Sequence, residues 1–184
     1  MTRLAVLTRI TLRDRLRRLA WRIARLLLYR PTPIVLHSWR AYVLRTFGAR
    51  IEGRVYLYPD VILWAPWNLQ MAPESCLGPG VICYNVAPVR LGHRVTVSQR
   101  SHLCTASHDF DDPGFPLTGA PIAIEDGGWI AAEAFVGPGV KVGSDAVVLA
   151  RSVVVRDVPT GAVMGGNPAR HLRDRALPKG TQGS

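Results

Sequence analysis

His108 is followed within four positions by three acids, Asp109, Asp111 and Asp112, in the stretch LCTASHDFDDPGFPLTGAPIAI (103–124). An imidazole titrates near neutral pH and can take a proton from a hydroxyl as that oxygen attacks, help worth about 10²–10⁴ in rate. A carboxylate beside it, such as Asp109, can orient the ring or hold a substrate hydroxyl, and can equally cap a turn. Two other chemistries fit less well. His93, His102 and His108 lack the spacing of a three-histidine metal site, so no metal is expected. Cys76, Cys83 and Cys104 form no C-x-x-C pair, and Cys83 falls at an aliphatic position, so a cysteine nucleophile is not expected. A reducing, cytosolic setting suits three such thiols.

What positions His108 is a six-residue period. Aliphatic residues recur at Ile51, Leu57, Leu63 and Leu69, then at Leu77 and Cys83, then at Leu91, Val97 and Leu103. After the break they run without interruption through Ile124, Ile130, Val136, Val142, Val148 and Val154. A period of six predicts a triangular prism: each hexad is a short strand and a turn, and three hexads make one coil. Each coil buries its apolar residues only against its neighbours, so the fold behaves as a solenoid. Fifteen hexads predict a mainly β chain, a parallel β-helix of about five coils. Glycine directly after the aliphatic residue (Gly78, Gly92, Gly137, Gly143) predicts corners that need little side chain or a positive φ. A solenoid wall offers no pocket, and the stretch near 109–121, rich in Asp, Gly and Pro, is predicted to leave the wall and make one. His108 stands at its base.

Three segments follow: an N-terminal basic helical arm (1–50), the β-helix (51–173) and a C-terminal tail (174–184). The arm holds twelve arginines against one acid, a net charge of +11, whereas residues 51–184 carry −1. Thr11 and Asp14 have capping-box spacing and Pro31 a stop signal. Between them Leu12, Leu16, Leu19, Ile23 and Leu26 form one apolar stripe, with Arg15, Arg18, Arg22 and Arg25 beside it. Such a helix can lie in a membrane interface or pack its stripe on protein, and packing is the commoner use. Residues 36–49 predict a second helix with Trp39, Tyr42, Val43 and Phe47 on one side and Gly48 at its end. Neither a secretory signal nor a membrane-spanning stretch is evident. The expected setting is cytoplasmic, with peripheral contact at the inner membrane face through residues 1–30 as one role for the arm and no nucleic-acid partner.

The strings YRPTPIVLHSWR, CYNVAPVRLG, LCTASHDF and FPLTGAPIAIEDGGWIAAEAFVGPGV resemble the hexapeptide-repeat acyltransferases, and among them the colanic-acid-biosynthesis and related sugar O-acetyltransferases. The resemblance runs from about Arg30 to Arg173. It implies a left-handed β-helix and a homotrimer with active sites between neighbouring subunits. It also implies transfer of acetyl from acetyl-CoA to a hydroxyl of a sugar or saccharide intermediate. On that resemblance His108 is the general base, and Asn85 and Tyr84 approach the acceptor. Trp129 borders the cleft or packs at the subunit contact. Ala132 and Ala150 leave room for the pantetheine arm, and Arg156, Arg170 and Arg173 meet the nucleotide phosphates, which guanidinium forks suit. An N-acetyltransferase on an amino sugar would use the same base and co-substrate. A non-catalytic β-helix scaffold tethered by its basic arm is the alternative from another class. Gly128 departs from the family pattern, which has an aliphatic residue or alanine there.

Overall fold

The computed structural model describes Ala5–Val6 and residues 11–176; the first residues of the arm and most of the 174–184 tail lie outside the described residues. Three parallel sheets form the walls of a prism. The first wall stacks Arg50–Ile51, Leu69–Met71, Val89–Leu91, Ile122–Ile124 and Lys141–Val142. The second stacks Tyr56–Leu57, Cys76–Leu77, Thr96–Val97, Trp129–Ile130, Val147–Val148 and Ala162–Gly166, and Ala169–Asp174 turns back antiparallel on the last of these. The third stacks Ile62–Leu63, Ile82–Tyr84, His102–Cys104, Phe135–Val136 and Val153–Val154. Two walls thus carry five rungs and one carries six parallel rungs.

The inward column of each wall is the six-residue period in three dimensions. Leu57, Leu77, Val97, Ile130 and Val148 lie in register on the second wall, and Leu63, Cys83, Leu103, Val136 and Val154 on the third, all buried. On the first wall the register is Ile51, Met71, Leu91, Ile124 and Val142. Met71, not Leu69, is therefore the inward residue in register there. The extra two residues fall one hexad earlier than the aliphatic pattern suggested, because a 3-10 turn at Pro66–Asn68 absorbs them.

Of the two reasons expected for glycine at the corners, lack of a side chain is the one that applies. The glycines directly after the inward residue have ordinary φ. They are there for close approach: a Cβ on Gly143 would lie 2.5 Å from Thr160 N, and one on Gly92 2.7 Å from Asp126 N. The left-handed position falls on later turn residues, charged ones included, as at Arg94, Glu133 and Asp145. The amide of each bonds a carbonyl of the coil beneath, Pro73, Gln99 and Asp126 respectively, which offsets the conformational cost. Gly128 is explained in the same way, since a Cβ would meet Ile124 Cγ2 at 2.8 Å.

The helices close the first coil. Helix α1 (Leu12–Ala24) starts in the expected capping box, with Asp14 N donating to Thr11 Oγ1 and Thr11 N to Asp14 Oδ2, and widens into a π turn at Arg25–Tyr29. Its leucine stripe does not pack on the body. The helix docks by its opposite side, where Trp21 and Ala24 are buried, the Trp21 indole donates to Leu63 O at 2.8 Å, and Arg17 lies 4.1 Å over the Trp67 ring. Helix α2 (His37–Thr46) also shows a different side from the one expected: Arg40, Ala41, Val43 and Leu44 are buried, while Trp39 and Tyr42 are exposed. Arg40 is tolerated inside because its guanidinium donates to Leu57 O, Thr32 Oγ1, Pro33 O and Ile34 O. Nor is the arm wholly helical, since the backbone of Ala5–Val6 pairs antiparallel with Thr118 and Gly119.

Candidate active site

Every interruption of the period falls at one edge of the prism, between the third wall and the first. From inward residue to inward residue the chain takes eight positions there in the first coil (Leu63 to Met71) and eight in the second (Cys83 to Leu91). It takes twenty-one in the third (Leu103 to Ile124), then the regular six (Val136 to Val142) and finally four (Val154 to Val158). The insertions stack. In the first coil the edge carries Trp64, Trp67 and Asn68; in the second, Tyr84 and Asn85; in the third, Thr105 and His108.

The long insertion is a β-hairpin rather than an irregular loop. Ala106–His108 pairs antiparallel with Leu117–Gly119, and residues 109–116 make the tip. Asp109 N donates to Pro116 O at 3.0 Å, and the Asp109 carboxylate accepts from Asp111 N, so Asp109 caps the tip rather than orienting the histidine. His108 is exposed at the end of its strand. Its ring stacks on Phe115 with centroids 4.4 Å apart and planes 8° apart, and its Nδ1 lies 2.9 Å from Phe115 O. A carbonyl can only accept, so Nδ1 carries the hydrogen and neutral His108 presents the lone pair of Nε2 outward. Phe115 was missed from sequence; its place between glycine and proline at a hairpin tip was the only signal of it.

Asn85 is fully buried, and its amide is spent on the backbone of Ala65, accepting from N at 2.9 Å and donating to O at 2.7 Å. It therefore ties the second corner to the first and is enclosed within the single chain. Thr105 repeats the tie one coil on, donating to Tyr84 O and accepting from Ala87 N. Tyr84 is half-buried on the same edge, edge-on to Trp64 at 5.1 Å. Arg18 and Arg22 lie over that Trp64 ring and, with Arg15 and Leu19, line a shallow cavity.

Four of the five residues expected at the co-substrate stand elsewhere, as does Trp129, expected at the cleft border. Ala132 and Ala150 follow the second wall, at the edge it shares with the third. Trp129 is on the second wall, with its indole donating to Ser98 Oγ at 2.9 Å. Arg170 and Arg173 are exposed on the final antiparallel strand. Arg156 alone shares the His108 edge, beyond Val154 and exposed. One chain thus brings together His108, Asp109 and Tyr84 but not the second group. Burial pushes the Cys83 thiol well above its ordinary range and the Cys76 thiol upward too, which keeps both protonated. No group of three or more metal-ligating side chains converges among the described residues.

No family model matches the chain. WcaF of Escherichia coli (strain K12), an acetyltransferase named for colanic acid biosynthesis, is 40% identical over 144 residues, 78% of this chain and 79% of WcaF. A hexapeptide-repeat acetyltransferase of Vibrio cholerae O1 biovar eltor, solved with acetyl coenzyme A, superposes with a TM-score of 0.79 at 25% identity, covering 91% of each chain. A maltose O-acetyltransferase from Clostridium difficile 630 shares the fold, with a TM-score of 0.77 at 22% identity over 88% of this chain and 87% of that one. Stacked six-residue coils, a hairpin excursion that carries a histidine, and a relative matched over most of both chains lead to one conclusion: the chain belongs to the hexapeptide-repeat acetyltransferases and its prism is their left-handed β-helix.

Proposed function

We propose that the protein transfers the acetyl group of acetyl-CoA to a hydroxyl of a sugar or saccharide intermediate, with His108 as general base. The observation that carries this reading is the Nδ1 contact of His108 with Phe115 O, which in the neutral ring puts the hydrogen on Nδ1 and the free lone pair on Nε2 of an exposed histidine held by a stacked ring. In the proposed step Nε2 takes the hydroxyl proton as that oxygen attacks the thioester carbonyl. The tetrahedral intermediate then expels the CoA thiolate, which receives the same proton from the imidazolium, giving the acetyl ester and free CoA. The acetyl-CoA in the Vibrio cholerae structure and the name of WcaF support the donor and a saccharide acceptor.

The site requires more than one chain. Ala132, Ala150, Arg170 and Arg173 would hold CoA from places other than the His108 edge, and Trp129 would border the cleft from the second wall, so two protomers side by side complete what one cannot. A homotrimer provides that seam three times. The outward residues of the third wall suit it, because Ile62, Ile82, His102, Phe135 and Val153 include no charged carboxylate or guanidinium, whereas the first wall shows Arg50, Arg90 and Lys141. A cytoplasmic setting, where acetyl-CoA is made, goes with this function.

The test is release of free thiol from acetyl-CoA with a panel of saccharides. His108→Ala and His108→Gln are expected to lower kcat by about 10²–10⁴ with the thermal midpoint and acetyl-CoA affinity unchanged. Full activity in either variant removes His108 from the base role, and absence of acetyl-CoA binding by the unmodified protein would leave a scaffold.

A further inference from the structure

The outer surface of the helical cap is an ordered apolar strip. Leu12, Leu16, Leu19 and Ile23 of α1 are all more than half exposed, and Leu26, Leu27 and Leu28 continue them. At 3.6 residues per turn the first four fall within a strip about 60° wide, on the opposite side of α1 from the docked Trp21. The turn at 32–36 adds Ile34, Val35 and Leu36, with Val35 80% exposed. These three are not loosely held. The buried Arg40 guanidinium binds Thr32, Pro33 and Ile34 from beneath, so an interior charge is spent on fixing a turn that points aliphatic side chains outward. Trp39 and Tyr42 complete the strip, with the Trp39 indole bonded to Leu28 O at 2.8 Å and the Tyr42 ring 5.8 Å away.

Charge decides what covers it. From Arg15 to Ile51 there are nine arginines and no acid. Arg15 and Arg22 lie on one shoulder of the strip and Arg13 on the other, all exposed, and none of the ion pairs among the described residues uses an arginine of α1. A second copy of this face would bring like charges together around the apolar contact. A bilayer with anionic headgroups accepts both parts at once: acyl chains meet the strip, phosphates meet the shoulders, and Trp and Tyr suit the boundary between them. No helix among the described residues is long and apolar enough to cross a membrane, so the strip lies on the surface. We propose that α1 and the 32–36 turn form an anchor that seats the protein on an anionic lipid surface, independently of which acceptor the site takes.

The experiment is flotation of the full-length protein with vesicles of phosphatidylcholine containing phosphatidylglycerol, against vesicles of phosphatidylcholine alone. The protein is expected to float with the anionic vesicles and less so at high salt, because Debye screening weakens the headgroup attraction. The triple variant Leu12→Glu, Leu16→Glu, Ile23→Glu is expected to lower partitioning about tenfold or more. Its thermal midpoint, its sedimentation coefficient and its turnover on a water-soluble saccharide should be unchanged, since those side chains contact solvent. Failure of the unmodified protein to float, or equal flotation of the triple variant, overturns the anchor. A changed sedimentation coefficient in the triple variant also overturns it, by assigning the strip to a contact between copies.

Discussion

A histidine can serve as a base only if its free nitrogen faces the proton it must take, and in this chain that choice is made by Phe115. The ring stack limits rotation of His108, and the Phe115 carbonyl fixes the tautomer. Sequence pointed to His108 through the broken period, a signal of position. It could not point to the partner, because a backbone carbonyl leaves no trace in residue type. Asn85 shows the converse. Its amide suggested a hydroxyl contact on residue type alone, and in the fold it satisfies a corner. The two roles make opposite predictions. Asn85→Ala leaves the Ala65 N–H unpaired in a buried place, while the Ala65 C=O keeps its bond from Asn68 N, and is expected to cost about 1–3 kcal/mol of stability. The KM for the acceptor, measured at a temperature where the variant is folded, should stay unchanged. A raised KM with an unchanged melting temperature would return Asn85 to the acceptor.

At the scale of elements, periodicity announced both the prism and the amphipathic helix, but only for the prism did it fix orientation. Strands alternate, and an inward column needs partners above and below, so one face is determined. Helix α1 has two surfaces that could pack, the leucine strip and the short patch of Trp21 and Ala24. The first coil selected the smaller one because Leu63 O needed a donor and Trp67 a cation over its ring. The arm is therefore part of the fold as well as a candidate anchor. Trp21→Ala is expected to destabilise the protein by about 3–5 kcal/mol, read as a lowered midpoint in chemical denaturation. Deletion of residues 1–30 should expose Leu44 and Tyr29's neighbours on the first coil and lose turnover, where a detached tether would leave both untouched. A truncated protein with full stability would show that the cap adds nothing to the core.

For the whole molecule the third wall is the surface to test. His102 lies outward on it, edge-on to Phe135 at 5.4 Å, with its Nε2 buried and without a hydrogen-bond partner among the described residues. Burial holds its pKa below the ordinary 6.5. As pH falls through that unfolded value the unfolded chain takes the proton first, so stability drops, and the loss levels off below the depressed native value. Melting temperatures at pH 7.5 and 5.5, about a unit either side of the unperturbed value, should therefore differ more in the unmodified protein than in His102→Leu. An equal difference would mean that the native ring accepts its proton freely. The same wall carries the proposed trimer. Ile82 flanks His102 on one side and Phe135 on the other, both half-buried in the single chain. A contact between protomers would bury them fully, and a carboxylate at either place would then be left unpaired in an apolar seam, a cost that associating surfaces do not recover. Ile82→Glu with Phe135→Glu is expected to sediment as a monomer with unchanged circular dichroism, because both side chains point away from the prism interior. It should also lose acetyl transfer if CoA is held as proposed, because His108 and the edge carrying Ala132 and Ala150 belong to different corners of one chain. A monomer with full turnover would place the whole site within one subunit, and a variant that stays trimeric would move the seam to another wall.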